Sequence, residues 1–436
     1  MSIINRKSLM SDNDTHFLRD VNLSYAQMSQ IASSELKSVI DSSDSMRQTI
    51  AAIANNVRLT DEAQKSIIEA MSRLASIMRY TSRTDKKDYL HLDTPRSPYS
   101  PTFTSPGDYF KKHEKIIRSF EDLNSAIAQL ISNVGMLQLV WRGHSNSEWG
   151  IHSGLYRALM EVNKVEINPR KARGDQPFPT EEQVIAAEKE ILKAARTDWR
   201  LDGQPALETF ARIQHEGGLT RLLDVTKNPY IAAWFAVESG QDEADGRLIA
   251  FARTSIRHLD SNKIAGSDVE EGIVLDELWR SYQPLWHNWN DNTSRQNMDW
   301  GTGGNRRIWT PPAYHARIST QNAAFLVDGV PITTNRVRRS LNRPRTDKIW
   351  TRADVLASSS ILSKIVSITT PPRATKANLA PTFTFLIKAD AKKEIHDFLE
   401  SRFGYTRSYI YPDMSAFAQY TRHLPLPSLN DIESQE

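Results

Sequence analysis

The chain has 436 residues, of which 39% are hydrophobic and 25% charged, and a formal net charge of +3. This composition is typical of a soluble globular protein of two or three domains, and the small net charge neither requires nor excludes a nucleic-acid partner. The absence of cysteine excludes disulfides and thiolate metal sites and is typical of a reducing compartment. Neither a signal-peptide pattern nor an apolar run near the roughly 20 residues that span a bilayer is present. We therefore expect a cytoplasmic protein that does not bind membranes.

Residues 1–82 are predicted to form amphipathic helices. Apolar residues recur at helical spacing over residues 16–57, and Ile67, Met71, Leu74 and Met78 then form one stripe. One stripe per helix cannot build a large core, so these helices must pack on each other, on the rest of the chain or on a partner. A helical hairpin within the chain and a partner-binding regulatory module both satisfy this pattern.

Residues 83–107 are predicted to be a linker between domains, because prolines and serines interrupt any helix there. A helix is expected to return over Tyr109–Ile131 and to open a main domain of residues 108–425, with residues 426–436 as a tail. Next, Leu137, Leu139 and Trp141 alternate as in a strand that ends near Arg142 and Gly143. The side chain of Arg142 offers two parallel donors to a phosphate, and His144 can bind a ribose hydroxyl. The alternative is a structural arginine bonded to backbone carbonyls.

A strong helix is predicted over Glu181–Arg196, and the segment Gly218–Glu238 follows it. There a short apolar strand leads into a core helix that starts at Pro229, with Thr226 or Asn228 as its cap. Polar groups at such a junction need partners, and a ligand is one possible partner. The polar residues of the junction are Thr220, Arg221, Asp224, Thr226 and Lys227. The alternative is an Arg221–Asp224 ion pair that only tethers the start of the helix.

The second half of the chain contains strands over Arg247–Arg253, Ala323–Val327 and Phe383–Lys388, and a helix over Lys392–Arg402. Residues 284–316 are predicted to be a long irregular loop, and its glycines lack the spacing of a phosphate-binding motif. The loop leads to Gln321, immediately before a strand. A basic run over Arg336–Arg352 follows, and a solvated surface is its usual explanation. A nucleic-acid interface is the alternative, with the candidate contacts Arg338, Arg339, Arg343, Trp300 and Trp309.

Four ordered blocks of the sequence resemble one family, the FRG domain of bacterial and phage proteins. The blocks are VWRGHSNSEW (Val140–Trp149), QHEGGLTRLLDVTKNPYIAAWFA (Gln214–Ala236), ARISTQNAAFLV (Ala316–Val327) and YIYPDMSAFAQY (Tyr409–Tyr420). The chain departs from the family pattern at Glu216, Leu219 and Val225, while the polar positions of the pattern are kept.

The order of these blocks also resembles the core of ADP-ribosyltransferases. That resemblance implies an α+β fold with a split, mostly antiparallel sheet and surrounding helices, preceded here by the N-terminal helical segment. It further implies NAD as substrate, and no metal is expected. The residues implied for NAD binding are Arg142, His144, Thr220, Arg221 and Thr226, and those implied for catalysis are Arg142, Asp224 and Gln321. Many such transferases have a glutamate where this chain has Gln321, so Asp224 or another acid is expected to supply the charge.

The resemblance implies an intracellular toxin or anti-phage effector that transfers ADP-ribose from NAD to a macromolecule. RNA is the first acceptor to test, because of the basic run and the tryptophans, and a protein acceptor stays open. The N-terminal helices would then bind an antitoxin or a chaperone. The alternative is a non-catalytic module that binds a nucleotide or a phage component and signals through those helices. A nuclease is a weaker alternative, because no paired carboxylates at metal-binding spacing stand out.

Overall fold

Most of the described chain is organised around one open sheet. The computed structural model describes residues 97–238, 242–254, 281–341, 343, 348–370, 372–373, 379–422 and 424. Within them the strands are β1 (Lys115–Ile117), β2 (Leu139–His144), β3 (Leu223–Thr226), β4 (Gly246–Ala252), β5 (Arg307–Trp309), β6 (Ala323–Val327), β7 (Lys364–Ile365) and β8 (Pro381–Ile387). The spatial order is β1-β8-β4-β2-β3-β6-β5, and β7 also pairs with β8. All neighbours are antiparallel except β1 and β7, which run parallel to β8. The expected α+β class with a mostly antiparallel sheet is confirmed.

Helices cover both faces of this sheet. They are α1 (Phe120–Val134), α2 (Gly154–Val162), α3 (Glu181–Thr197), α4 (Ala206–His215), α5 (Pro229–Val237), α6 (Asn292–Asn297), α7 (Ala316–Thr320), α8 (Asn335–Arg339), α9 (Arg352–Ser358), α10 (Ala389–Phe403), α11 (Arg407–Ile410) and α12 (Met414–Thr421). Short 3-10 helices span Pro106–Phe110 and Leu285–Asn288. Because successive strand residues point to opposite faces, Val140 joins the core under α2, α3 and α9, while Trp141 joins the core under α1, α5 and α10.

The sheet is nearly divided between β2 and β3. Strand β2 pairs with β4 along its whole length, and β3 pairs with β6 along its whole length. Between β2 and β3, in contrast, the pairing is limited to Trp141 and Thr226. The two halves of the sheet therefore diverge from this pair, and backbone groups beyond it must find partners other than a neighbouring strand.

Helix α5 lies directly over the strand that borders this divergence. Asn228 caps the helix, as one of the two predicted candidates, by accepting from Tyr230 N at 2.9 Å and Ile231 N at 3.4 Å. A Cβ atom at Gly143 of β2 would lie 1.9 Å from Ala232 O of α5. Glycine is thus required there by the close approach of the helix. The strand was predicted to end near Arg142 and Gly143, and it ends one residue later, at His144.

One prediction about the start of the main domain was wrong. The expected helix over Tyr109–Ile131 is a 3-10 turn, then β1, then α1, because Ser119 caps α1 by accepting from Asp122 N. The final stretch of the predicted linker, residues 97–107, packs into the core. Phe103 is 2% exposed and stacks on Tyr99. The earlier part of the linker, residues 83–96, lies outside the described residues.

The predicted irregular loop over residues 284–316 instead contains the 3-10 helix Leu285–Asn288, α6 and β5. Its tryptophans form part of a third core cluster beside β6, together with Phe210 and Phe325. The predicted N-terminal helices of residues 1–82 and the tail of residues 426–436 lie outside the described residues. All described residues belong to one compact unit. None of the helices described here is long and apolar enough to cross a membrane.

Candidate functional site

A cavity of about 310 Å³ opens where β2 and β3 diverge. Its walls come from seven elements: β2, β3, β6, α4, α5, α7 and the segment that follows α11. The lining residues are Trp141, Arg142, Gly143, Gln214, His215, Asp224, Val225, Thr226, Ala232, Phe235, Arg317, Gln321, Ala323, Ala324, Phe325 and Tyr411. The structure therefore brings together Arg142, Asp224, Thr226 and Gln321, which come from three separate segments of the sequence. Clefts that combine apolar walls with a few converging polar groups are the usual form of a ligand site.

Arg142 bridges the gap between the two halves of the sheet. Its Nη1 donates to the backbone oxygen of Asp224 at 2.7 Å, so a side chain satisfies a carbonyl that no β2 amide reaches. Burial lowers the pKa of Arg142, with Asp224 opposing this effect and Arg157 adding to it. Its Nη2 makes no hydrogen bond with the described residues, and the side chain is 20% exposed. Arg142 is thus bonded to a backbone carbonyl, as in the alternative interpretation, while its Nη2 has no hydrogen-bond partner among the described residues.

His144 does not line the cavity, which corrects its predicted place on a ribose hydroxyl. The residue is 5% exposed, and its Nε2 accepts from Arg142 Nε at 2.9 Å. Burial, Arg142 and Arg247 together lower the pKa of His144 well below its usual value. A neutral imidazole that accepts at Nε2 carries its proton on Nδ1. His144 therefore orients Arg142 and does not face a ligand.

Asp224 presents a carboxylate to the cavity. Its side chain is 59% exposed, and its Oδ2 lies 3.9 Å from Arg142 Nη1. The same oxygen accepts from Gln214 Nε2 at 3.0 Å. Because the side chain is solvated, the attraction between Arg142 and Asp224 adds little to stability. The other oxygen, Oδ1, has no hydrogen-bond partner among the described residues.

Gln321 forms the C-cap of α7 on the opposite wall of the cavity. Its Nε2 donates to Ile410 O at 2.9 Å, and its backbone oxygen accepts from Thr226 Oγ1 at 2.6 Å. The first bond holds the side chain of Gln321 and the second holds its backbone, while its amide oxygen has no partner in the described part of the chain. The group is neutral, so the negative charge of this site comes from Asp224.

Four cavity residues with polar side-chain groups were not singled out from the sequence: Gln214, His215, Arg317 and Tyr411. Arg317 pairs with Asp413 through Nε–Oδ2 and Nη2–Oδ1 contacts and lies over the ring of Tyr411. Burial alone would raise the pKa of Asp413, but hydrogen bonds from Arg317 and Ser415 hold it well below its usual range. All four residues fall inside the FRG-like blocks, so the blocks themselves were the available signal.

Arg221 lies away from the cavity, which corrects its predicted role in NAD binding. The guanidinium pairs with Glu181 at 2.6 Å and with Glu188 at 2.7 Å, and all three side chains are buried. Although burial opposes the charge, the two carboxylates raise the pKa of Arg221 above its ordinary value. Trp300 donates to Glu181 at 2.9 Å, and Trp286 donates to Glu188 at 2.9 Å. The Arg221–Asp224 pair, the alternative interpretation, is not formed either.

Thr220 is also set back from the cavity. It is fully buried, and its Oγ1 donates to Gln214 Oε1 at 2.6 Å. The hydroxyl therefore contacts a residue of the cavity wall and does not reach a ligand, which corrects its predicted place on NAD.

The structure also corrects three of the predicted nucleic-acid contacts. Trp300 is 0% exposed and Trp309 is 8% exposed, so neither ring is available to stack on a base. Arg343 is buried and donates to Thr102 Oγ1 at 2.8 Å. On α8, Arg338 is half-buried and Arg339 is exposed. In the described ranges no three His, Asp or Glu side chains are grouped to bind a metal ion.

Comparison with known proteins identifies one family. The FRG domain matches residues 137–245, which supports the FRG part of the resemblance. The matched range contains Arg142, Gln214 and Asp224 and ends before Gln321. Neither a curated protein nor a solved structure matches the chain.

Proposed function

Starting from the FRG match, we propose that this chain is an NAD-dependent ADP-ribosyltransferase. The observation that carries the proposal is the convergence of Arg142, Asp224 and Gln321 on one cavity, although they come from β2, β3 and the end of α7. The cavity also lies where β2 and β3 diverge, so three walls of different origin meet there. Thr226 and Tyr411 complete the wall between these groups.

The available groups suit the bond that must break. Cleavage of the bond between nicotinamide and ribose builds positive charge on the ribose, as in other glycosyl transfers. The unpartnered Oδ1 of Asp224 can stabilise that charge, because it is a fixed carboxylate oxygen at the cavity surface. The free Nη2 of Arg142 suits a phosphate of NAD. The amide oxygen of Gln321 can accept from a ribose hydroxyl. Nicotinamide then leaves, and an acceptor oxygen or nitrogen bonds to the ribose and loses its proton.

We propose RNA as the first acceptor to test and a protein as the second. Arg339 is exposed on α8 and Arg338 is half-buried beside it, so phosphate contacts there are sterically possible. The burial of Trp300 and Trp309 removes the stacking part of the original argument. In this proposal the protein acts inside the cell as a toxin or anti-phage effector, and its N-terminal helices bind an antitoxin or chaperone.

One feature favours a second candidate, a module that binds a nucleotide without cleaving it. Gln321 is neutral, and its Nε2 is committed to Ile410 O. A neutral amide stabilises a cationic ribose less than a glutamate does, whereas it is fully able to bind ribose hydroxyls. In this alternative the cavity holds a nucleotide as a signal, and partner binding is the output.

Transfer of label from NAD separates the two candidates. Purified protein is incubated with NAD labelled in the adenylate phosphate and a cell extract, which is then split into RNA, DNA and protein fractions. We expect label in the RNA fraction with the wild type and none with Asp224→Asn. The control is Asp397→Asn, because Asp397 is 57% exposed and lies on α10, away from the cavity. Saturable NAD binding without label in any fraction would favour the sensor module, and absence of NAD binding would refute the transferase.

A further inference from the structure

We infer that Gln214 is a positioning residue that holds the carboxylate of Asp224, and that Thr220 acts on that carboxylate through Gln214. This inference rests on the proposed function, since it assigns the working orientation of the same site. Gln214 lies near the C-terminus of α4 and lines the cavity beside Asp224. Neither Gln214 nor Thr220 has a polar contact that places it on the reacting atoms.

The hydroxyl of Thr220 binds one end of the Gln214 amide. Thr220 Oγ1 accepts from Leu222 N at 3.1 Å and donates its single proton to Gln214 Oε1 at 2.6 Å. Because the Leu222 amide can only donate, the hydroxyl proton is free for Gln214. The oxygen end of the Gln214 amide is thereby held against Thr220, and its Nε2 is turned toward β3.

Nε2 of Gln214 then has two acceptors within reach. It donates to Asp224 Oδ2 at 3.0 Å and reaches Leu222 O at 3.4 Å. The flipped amide would put an oxygen 3.0 Å from the Asp224 carboxylate, and two acceptors at that distance repel. One orientation of Gln214 is therefore strongly preferred.

As a result, one carboxylate oxygen of Asp224 is hydrogen-bonded and the other faces the cavity. Oδ2 is held by Gln214 and lies 3.9 Å from Arg142 Nη1, while Oδ1 stays open to the cavity. A solvated aspartate would otherwise rotate about its side-chain bonds. Gln214 thus supplies the orientation that a charge-stabilising group needs at the reacting atom. Since Arg142 is oriented separately by His144, loss of Gln214 should leave phosphate binding in place.

The kinetic test uses Gln214→Glu, which keeps the size of the side chain but replaces the donor with a second carboxylate. We expect kcat for NAD cleavage to fall roughly 10-fold to 100-fold while KM for NAD changes less than about 3-fold, because the lost orientation matters in the transition state. Thr220→Val should show the same split and Thr220→Ser should restore kcat. In a Gln214→Leu background, Thr220→Val should have no further effect on kcat. A loss of kcat/KM that comes from KM alone would overturn the inference. Additive effects of Gln214→Leu and Thr220→Val on kcat would overturn it as well.

A second measurement does not depend on activity. The side-chain NH₂ protons of Gln214, assigned by their loss in Gln214→Leu, should exchange slowly with solvent in the wild type. Protection should fall in Asp224→Asn and in Thr220→Val, and persist in Thr220→Ser. If the wild-type protons exchange as fast as those of exposed glutamines, the inference fails even when NAD is cleaved. If protection follows the expected pattern and NAD is not cleaved, the proposed function fails and the positioning network stands.

Discussion

Arg142 Nε donates to His144 Nε2 at 2.9 Å, and the two residues lie on the same face of β2 because they are two positions apart. The acceptor is a neutral imidazole, since burial and the charges of Arg142 and Arg247 lower the pKa of His144 well below 6.5. An accepting Nε2 leaves the proton on Nδ1. The orientation of the cavity arginine is therefore set by a histidine that no ligand touches.

Replacing this histidine should weaken NAD binding without removing any contact to NAD. In His144→Leu, Arg142 loses the acceptor for its Nε, and we expect the Kd for NAD to rise about 10-fold, which is the loss of roughly 1.4 kcal/mol. His144→Gln retains an acceptor and should lie closer to the wild type. Calorimetric titration with NAD measures both. Equal affinity in wild type and His144→Leu would contradict the role assigned to His144.

The same pair predicts a pH dependence. Because the pKa of His144 is held well below 6.5, the bond from Arg142 should persist as the pH falls through 6.5. NAD affinity in the wild type should thus show no step between about pH 7 and 6. A step in that window which disappears in His144→Gln would show that His144 titrates at its ordinary pKa.

Arg221 should matter for stability. Its guanidinium lies buried between Glu181 and Glu188, so Arg221→Ala leaves two carboxylates without their cation. We expect the free energy of unfolding to drop by about 3–5 kcal/mol. Arg212→Ala is the control, because the Arg212–Glu208 pair is a partly exposed i,i+4 pair expected to contribute less than about 1 kcal/mol. Denaturant unfolding measures the free energy of unfolding of both variants. Similar losses would show that the buried cluster stabilises the fold no more than the partly exposed pair does.

A buried aspartate near the tryptophan cluster should make stability depend on pH. Burial raises the pKa of Asp299 to about 8, despite the opposing charge of Arg307. The folded state then binds this proton more tightly than the unfolded state does, so its contribution to stability is present below about pH 4 and is lost as the pH rises toward 8. Asp299→Asn removes the titration, and asparagine tolerates the backbone φ of 52° at this position.

We expect Asp299→Asn to gain stability relative to the wild type as the pH rises from 4 to 8. The gain approaches about 1.4 kcal/mol per pH unit at most. Unfolding in urea at pH 5, 6, 7 and 8 tests the slope. Parallel stability curves for the two proteins would mean that Asp299 is ionised throughout.

The arginines of the basic run should affect binding of the RNA acceptor and not cleavage of NAD. Replacing Arg338 and Arg339 with alanine should raise the apparent KM for RNA and lower the salt dependence by about 0.7 per lost phosphate contact. NAD hydrolysis without acceptor should not change, because neither residue lines the cavity. Arg402→Ala, at an exposed position on α10, serves as the control. An unchanged KM in the double variant would favour a protein acceptor or another face.

Sequence patterns predicted the elements whose signals are local. The core helix α5 was predicted from its apolar run, Pro229 and a capping residue, and β6 was predicted with its observed bounds. The block pattern led to Arg142, Asp224, Thr226 and Gln321, which line one cavity. In the sequence each of these residues interrupts or borders an apolar run, and such positions can be recognised without knowledge of the fold.

Partners across the fold could not be predicted in the same way. Arg221 and Asp224 are close in sequence, yet Arg221, which precedes β3, pairs with two carboxylates on α3 that are distant in sequence. Trp300 looked available in a polar segment, but the surrounding chain folds over it and its Nε1 binds Glu181. Gln214 begins one of the FRG-like blocks but was not predicted as a site residue, because its role depends on Thr220 and Asp224 together.

Beyond the pair Trp141–Thr226, the two halves of the sheet are joined by a side chain and not by backbone pairing. There the Nη1 of Arg142 donates to the backbone carbonyl of Asp224. Any substitution of Arg142 therefore has two effects: it changes ligand binding, and it removes the contact between β2 and β3. Loss of activity in Arg142→Ala is assigned to chemistry only when the backbone amides of β2 and β3 exchange as slowly as in the wild type. A ligand that binds Arg142 therefore also acts on the contact that joins β2 to β3.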